Sequence, residues 1–340
     1  MRVVVIGGRG FLGSRAVRAL RAARVETIVA GRKGDVVVDL DRPETFAALD
    51  GADVIVDCSN SHAASPLALA AHVLEHGGVL LSATSDAGVI DALLRMHRAS
   101  KGPGALVIGA GIFTGVSNAL AHAAFDALPG CEELTLGVRT SPFSGAGGGT
   151  IDLMIDVLGA ETRSIANGEV VVSGSIARGP TLPFIEGDYA TLRVPFAEPM
   201  MLHASTRTPN VTMSMAPAPS PLRLAFLALP APLLRMRWVL ALMRFYFVVL
   251  RQFVLRSLGT RVGLVAVARA KNESKTLALT VNDGFELAGA AIAATALALG
   301  ERSERPQGTF LVDELVSLDA MLSRSKTLSP TLRIETRGWP

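Results

Sequence analysis

Near the start of the chain, Gly7-Gly8-Arg9-Gly10-Phe11-Leu12-Gly13 has the composition and spacing to hold an anion. Gly8, Gly10 and Gly13 satisfy G-x-G-x-x-G between an apolar run, Val3 to Ile6, and a segment of helical period, Ser14 to Arg24. That context turns a common spelling into a physical argument. The backbone there must turn tightly, approach a pyrophosphate with no Cβ in the way, and lay a helix on a sheet with its N-terminus toward the phosphates. Gly8, Arg9, Gly10, Phe11, Leu12 and Gly13 are therefore the expected dinucleotide cradle, with a ligand-free strand-to-helix turn as the competing reading. The second expected strand ends Ala30-Gly31-Arg32-Lys33, where an NAD-binding chain would place a carboxylate for the ribose hydroxyls. Two cations in that place favour a 2′-phosphate, so Gly31, Arg32 and Lys33 point to NADP(H), against the plainer reading of a solvated basic turn.

Cys58-Ser59-Asn60-Ser61-His62 follows the fourth expected strand, at the edge where such a domain meets its cofactor. Ser59 and Asn60, with Thr84 after the next strand, are expected to touch the cofactor. His62, of the residue type that can donate a proton near neutral pH, is the first candidate proton donor, with Ser141, Asp86 and His203 behind it; a plain loop histidine is the alternative. Ser141 stands beside a glycine run, Ser144 to Gly149, that could cover a cofactor or simply turn the chain. His72-Val73-Leu74-Glu75-His76 matches the H-x-x-E-H zinc spelling, but it lies on a crossover helix with no evident third ligand. No metal is expected, and both histidines are read as surface residues. The Tyr-Lys pair of short-chain reductases is absent, since Tyr189 and Tyr246 are followed four residues on by Arg193 and Leu250. The Glu-Lys-Pro of sugar dehydrogenases is replaced by Ser82-Ala83-Thr84.

These residues need a scaffold. Apolar runs at Val3 to Ile6, Thr27 to Ala30, Val36 to Val38, Val54 to Val56, Val79 to Leu81 and Leu106 to Ile108 alternate with helical segments, including Pro66 to His76, Val89 to Ala99 and Val116 to Leu128. The pattern predicts an α/β fold, a Rossmann doubly wound parallel sheet of about six strands, over residues 1–130. Over residues 131–283 the rhythm changes to longer strands (near Glu133 to Arg139, Val170 to Ser173, Thr191 to Pro195, Val262 to Ala268 and Thr276 to Val281) and predicts a second α+β domain for substrate binding or dimerisation. A helix, Glu286 to Leu299, a polar break, Glu301 to Gln307, and an amphipathic piece near Asp313 to Leu322 make up 284–340, read as packing back on the first domain. Cys58 and Cys131 lack metal or redox spacing and are read as small core residues. No export signal precedes the first strand, so the protein is expected to be cytoplasmic. Scarce aromatics argue against nucleic acid. The net charge of +3 conceals an asymmetry, because no Asp or Glu occurs between Glu198 and Glu273. Within that stretch Leu222 to Leu258 is apolar and carries Arg237, Arg244 and Arg251 at seven-residue spacing. It is expected to form helices that meet a membrane surface, a lipid-like substrate or the second subunit of a homodimer.

The assembled features resemble the saccharopine dehydrogenase-like reductases. The residues that carry the resemblance are Gly7 to Gly13, Ala30-Gly31-Arg32, Val38 to Asp41, Asp53 to Asp57, and Gly109 to Asn118, whose end is similar to the family's Pro-Gly-Leu-Ser-Asn with Thr114 in place of the proline. The resemblance implies NADP(H) and a substrate domain that closes over the nicotinamide. The expected activity is hydride transfer to a C=C or C=N bond of a small or lipid-like substrate; an NADP(H)-binding redox-sensing or interaction protein without turnover is the alternative.

Overall fold

The structure is a computed structural model and describes residues 1–59, 64–96, 102–141, 160–174, 176–221, 223–224, 227, 236–253 and 259–339. The chain divides into two compact units, Met1–Ala119 with Phe285–Leu332, and Leu120–Gly284 with Arg333–Pro340.

The first unit is built on β1 (Arg2–Ile6), β2 (Glu26–Gly31), β3 (Val36–Val37), β4 (Val54–Asp57), β5 (Val79–Ser82) and β6 (Ala105–Ile108). β4, β5 and β6 are buried along their whole length, and β1 from Val3 onward, as short valine- and leucine-rich strands must be when helices cover both faces of a parallel sheet. The helices α1 (Gly13–Ala22), α2 (Leu67–His76) and α3 (Ala87–Met96) follow β1, β4 and β5. The sheet order is β3-β2-β1-β4-β5-β6, extended by a seventh strand, Gly308–Leu311, which pairs in parallel with β6. Strand order reverses direction beside β1, and ligands of open α/β sheets bind outside the carboxyl ends of the strands at that switch. The expected six strands are thus seven: the last lies beyond the polar break and is too short to show a pattern.

The second unit begins within α4 (Ser117–Asp126) and carries β7 (Glu133–Thr140), β8 (Thr162–Ala166), β9 (Glu169–Ser173), β10 (Ala177–Phe184), β11 (Gly187–Arg193), α5 (Glu198–Thr206), β12 (Asn210–Pro217), α6 (Arg237–Phe253), β13 (Val262–Ala270) and β14 (Glu273–Val281). α7 (Gly284–Gly300), β15 (the strand Gly308–Leu311), α8 (Val312–Leu315) and α9 (Leu318–Leu328) return to the first unit, and β16 (Ile334–Arg337) goes back to the second. The nine-stranded sheet runs β10-β11-β12-β7-β13-β14-β16, with β8 on β12 and β9 on β8. It is mixed, because β12 lies parallel to β7 while its other pairs are antiparallel. Leu182, Phe184, Ala216, Val265, Val267 and Ala278 form a packed cluster on it.

In the first unit α7 lies close against α1: a Cβ added at Gly289 would stand 2.4 Å from the Cβ of Arg15, so only glycine allows this approach. Arg18 donates to Glu286 of α7 and Ser329 donates to the same carboxylate at 2.7 Å.

Candidate functional site

Parallel register brings the carboxyl ends of the strands to one level: Ile6 lies opposite Ala30 and Asp57, Asp57 opposite Ser82, and Ser82 opposite Ile108. The glycine segment leaves β1 at this edge. Gly7 has φ +73° and its N–H donates to Ala30 O at 3.0 Å, while an added Cβ would meet Cys58 O at 2.7 Å. Any side chain at Gly7 would push the loop off β4. Gly10 N–H donates to Gly7 O at 2.8 Å, and at Gly13, the first residue of α1, a Cβ would lie 2.3 Å from that same oxygen. Gly10 differs, since its Cβ would meet only Gly7 O, at 3.0 Å, and otherwise open space. Gly7 and Gly13 thus shape the turn, and the space over Gly10 is where a pyrophosphate fits against bare backbone. Phe11 packs edge-on against Phe285 at 5.0 Å, with the Arg15 guanidinium 4.0 Å over its ring. Leu12 occupies the position before the first helical residue.

Gly31 ends β2, and Arg32 and Lys33 stand exposed in the turn that follows. The carboxylate missing from the strand end arrives a little later. Asp35 pairs with Arg9 at 3.5 Å and accepts from Val29 N–H at 3.3 Å. Sequence reasoning looked only at the strand end and passed over it. Arg9, Arg32 and Lys33 still outnumber that one carboxylate, so the local field favours an anion.

Asp57, at the end of β4, is buried, and burial raises its carboxyl above the ordinary aspartate range despite the 2.9 Å bond it accepts from Ser59 N–H. Burial, then the Asp57 charge, pushes the Cys58 thiol far up, so it is an inert neutral group. Thr84 is buried and its carbonyl accepts from the Thr114 hydroxyl at 3.3 Å. Asp86 accepts from Val89 N–H at 2.9 Å and so caps α3, a structural role beside its candidacy as a proton donor. Asn60 and His62 lie outside the described residues. Thr114 has φ +57°, a backbone that proline, fixed near about −65°, cannot adopt. Asn118 was missed as a site residue. It is fully buried, and neither amide atom has a hydrogen-bond partner among the described residues. Its signal in sequence is its place at the end of the Gly109–Asn118 stretch and at the head of α4, and a buried orphan amide fits a site completed by a bound group.

The remaining candidates belong to the second unit. Ser141 is buried beside β7 and lines a cavity of about 240 Å³ with Arg139, Glu186 and Arg261. The glycine run beyond it lies outside the described residues. His203, on α5, bonds through Nδ1 to Thr208 O at 2.9 Å. In the first unit His72 departs from the surface reading: it is half-buried, edge-on to Phe46 at 5.6 Å and stacked on His76 at 4.2 Å.

An open parallel sheet with a glycine turn after its first strand, joined in one chain to a mixed-sheet unit, defines a Rossmann-type α/β protein with a second α+β unit. The particular fold is that of saccharopine dehydrogenase. The apo L-Glu-forming enzyme from Saccharomyces cerevisiae is similar over 99% of both chains with a TM-score of 0.62, at 11% identity. A meso-dapdh mutant with DAP from Clostridium tetani is a more distant likeness, at 12% identity over 94% of this chain and 95% of that one, TM-score 0.46. No family model matches the sequence, and no curated protein matches it. The expected resemblance therefore holds at the level of the fold.

Proposed function

We propose that the chain is an NADP(H)-dependent oxidoreductase that transfers hydride to a C=C or C=N bond of a small or lipid-like substrate. The observation that carries this reading is the turn from β1 to α1, closed to side chains at Gly7 and Gly13 and open over Gly10, at the switch point of the sheet. When bound, the cofactor supplies the hydride. The amides of the turn and the start of α1 hold the pyrophosphate, and Arg32 and Lys33, with Arg9 beside them, meet the 2′-phosphate. Ser59, Asn60, Thr84 and Asn118 orient the cofactor at the carboxyl edge. Among the candidate proton donors, His62, Ser141, Asp86 and His203, Asp86 Oδ1 and His203 Nδ1 already serve backbone groups. The same engagement favours a second reading, binding without turnover as a redox-sensing module.

Titration of both cofactors tests the proposal. NADPH is expected to bind at least tenfold more tightly than NADH, about 1.4 kcal/mol, with the preference lost in the Arg32→Ala, Lys33→Ala double variant. Gly10→Val is expected to bind neither while melting as a folded protein. Equal dissociation constants in the unsubstituted chain refute the NADP(H) assignment. NADPH oxidation across imines and enoyl thioesters supports the reductase, and tight binding with no oxidation supports the sensor.

A further inference from the structure

We propose that β9 is a pairing edge whose occupant is β9 of a second copy of this chain, antiparallel across a two-fold axis at Val171. β8 and β9 form a hairpin closed by Asn167-Gly168, at φ +53° and +80°, the two-residue turn whose twist matches its strands. The turn is tied to the sheet: Asn167 N–H donates to Asn210 Oδ1 at 3.1 Å and Gly168 N–H to Pro209 O at 2.8 Å. Among the described residues β9 pairs with β8 alone. Counting from the turn, Ala166 and Glu169 exchange the first ladder bonds, and alternation gives the next to Ser164 with Val171 and then to Thr162 with Ser173. Val170 and Val172 therefore turn their N–H and C=O groups to the outer edge, where no described residue pairs with them. Val170, Val171 and Val172 are also 51%, 44% and 51% exposed. A single exposed valine needs no explanation, but three in succession on an open edge are what proteins guard against with proline, lysine or a bulge. β10, at the end of the same sheet, carries Pro180, Pro183 and a register shift, whereas β9 has none of these. A Cβ added at Gly168 or Gly174, at either end of β9, would meet nothing within 4 Å, so an incoming strand has a clear approach.

Symmetry and charge select the occupant. With the axis at Val171, Val170 faces Val172 of the second copy, so the two residues with outward backbone groups exchange N–H···O bonds and satisfy one another. The two Val171 side chains meet on one face at the close spacing of a non-bonded pair, and Val170 and Val172 of both copies share the other. Glu169, the only charged residue of the strand, falls opposite Ser173, so no like charges are apposed. A two-fold contact uses up both edges and closes at two copies.

The test uses the full chain without added dinucleotide, so its outcome is independent of the cofactor assignment. Sedimentation equilibrium is expected to show a concentration-dependent dimer. Val171→Lys sets like charges on the axis and is expected to raise the dimer dissociation constant about tenfold or more, with unchanged circular dichroism. Val171→Cys is expected to give a disulfide-linked dimer with diamide as oxidant, since opposite residues of a non-bonded pair stand about 4.5 Å apart at Cα. Glu169→Cys is expected to give none, because its own counterpart stands at the far end of the paired strand. The unsubstituted chain, with Cys131 buried and the Cys58 thiol inert, is the baseline for linkage. A monomer at every concentration overturns the proposal, as does a dimer that Val171→Lys leaves intact. Linkage through Glu169→Cys as ready as through Val171→Cys overturns it too.

Discussion

Asp57 is where a single residue's charge can be read out most directly. Its pKa in the folded state lies above the unfolded value because burial penalises the carboxylate. The folded chain therefore holds that proton more tightly. The stabilising contribution is complete below the ordinary aspartate range of about 4 and is lost as pH rises through the raised value. Asp57→Asn keeps an oxygen to accept from Ser59 N–H and removes the charge. The variant is expected to melt higher than the unsubstituted chain at neutral pH, with the gap closing on acidification. Thermal melts across that range decide: a gap independent of pH would mean that desolvation is not its source. If NADPH affinity falls in the same variant, the strip of sheet edge that holds Asp57 has kept a destabilising carboxylate for its function.

Among the elements, α3 separates a structural acid from a chemical one. Asp86 caps its first turn, so Asp86→Ala is expected to cost about 1 kcal/mol of stability. Asp86→Asn retains a capping oxygen and is expected to restore the melt. If NADPH oxidation stays low in Asp86→Asn, the carboxyl also moves a proton; if oxidation recovers with stability, it is a cap alone. The elements around it were legible for one reason. β1, β4, β5 and β6 are buried on both faces, so their composition alone marks them, and Gly7 and Gly13 between β1 and α1 are fixed by clashes with backbone atoms that any side chain would meet. β8, β10 and β12 were not marked. β10 alternates irregularly around a shifted register and includes Pro180 and Pro183, which read as breakers. β15 and β16, at four residues each, take their strand character from the neighbour they join. In the site, Asn118 was hidden because an unsatisfied amide is a property of surroundings, and His72 because its partner Phe46 comes from a distant segment.

At the scale of the whole chain the two units are interleaved, with the first sheet completed by β15 and the second by β16. A chain ending at residue 332 keeps β15 and loses only β16, whose residues Ile334 and Arg337 pair with Val281 and Ala278 of β14. Amide exchange is expected to accelerate along β14 in that truncation and to remain slow along β6. Accelerated exchange in β6 as well would show that the two sheets do not unfold separately. The order of strands also sets a timetable for synthesis. β6 is made early, but the strand that covers its outer edge emerges only after residues 120–284 of the second unit. At ~5–20 residues per second that interval lasts roughly ten to forty seconds. Throughout it the nascent first sheet presents an open, fully apolar edge from Ala105 to Ile108, a template for pairing with a neighbouring nascent chain. The protein's yield on crowded polysomes should therefore depend on how fast the ribosome crosses residues 120–284, a pressure that acts on the coding sequence of the second unit but protects the first.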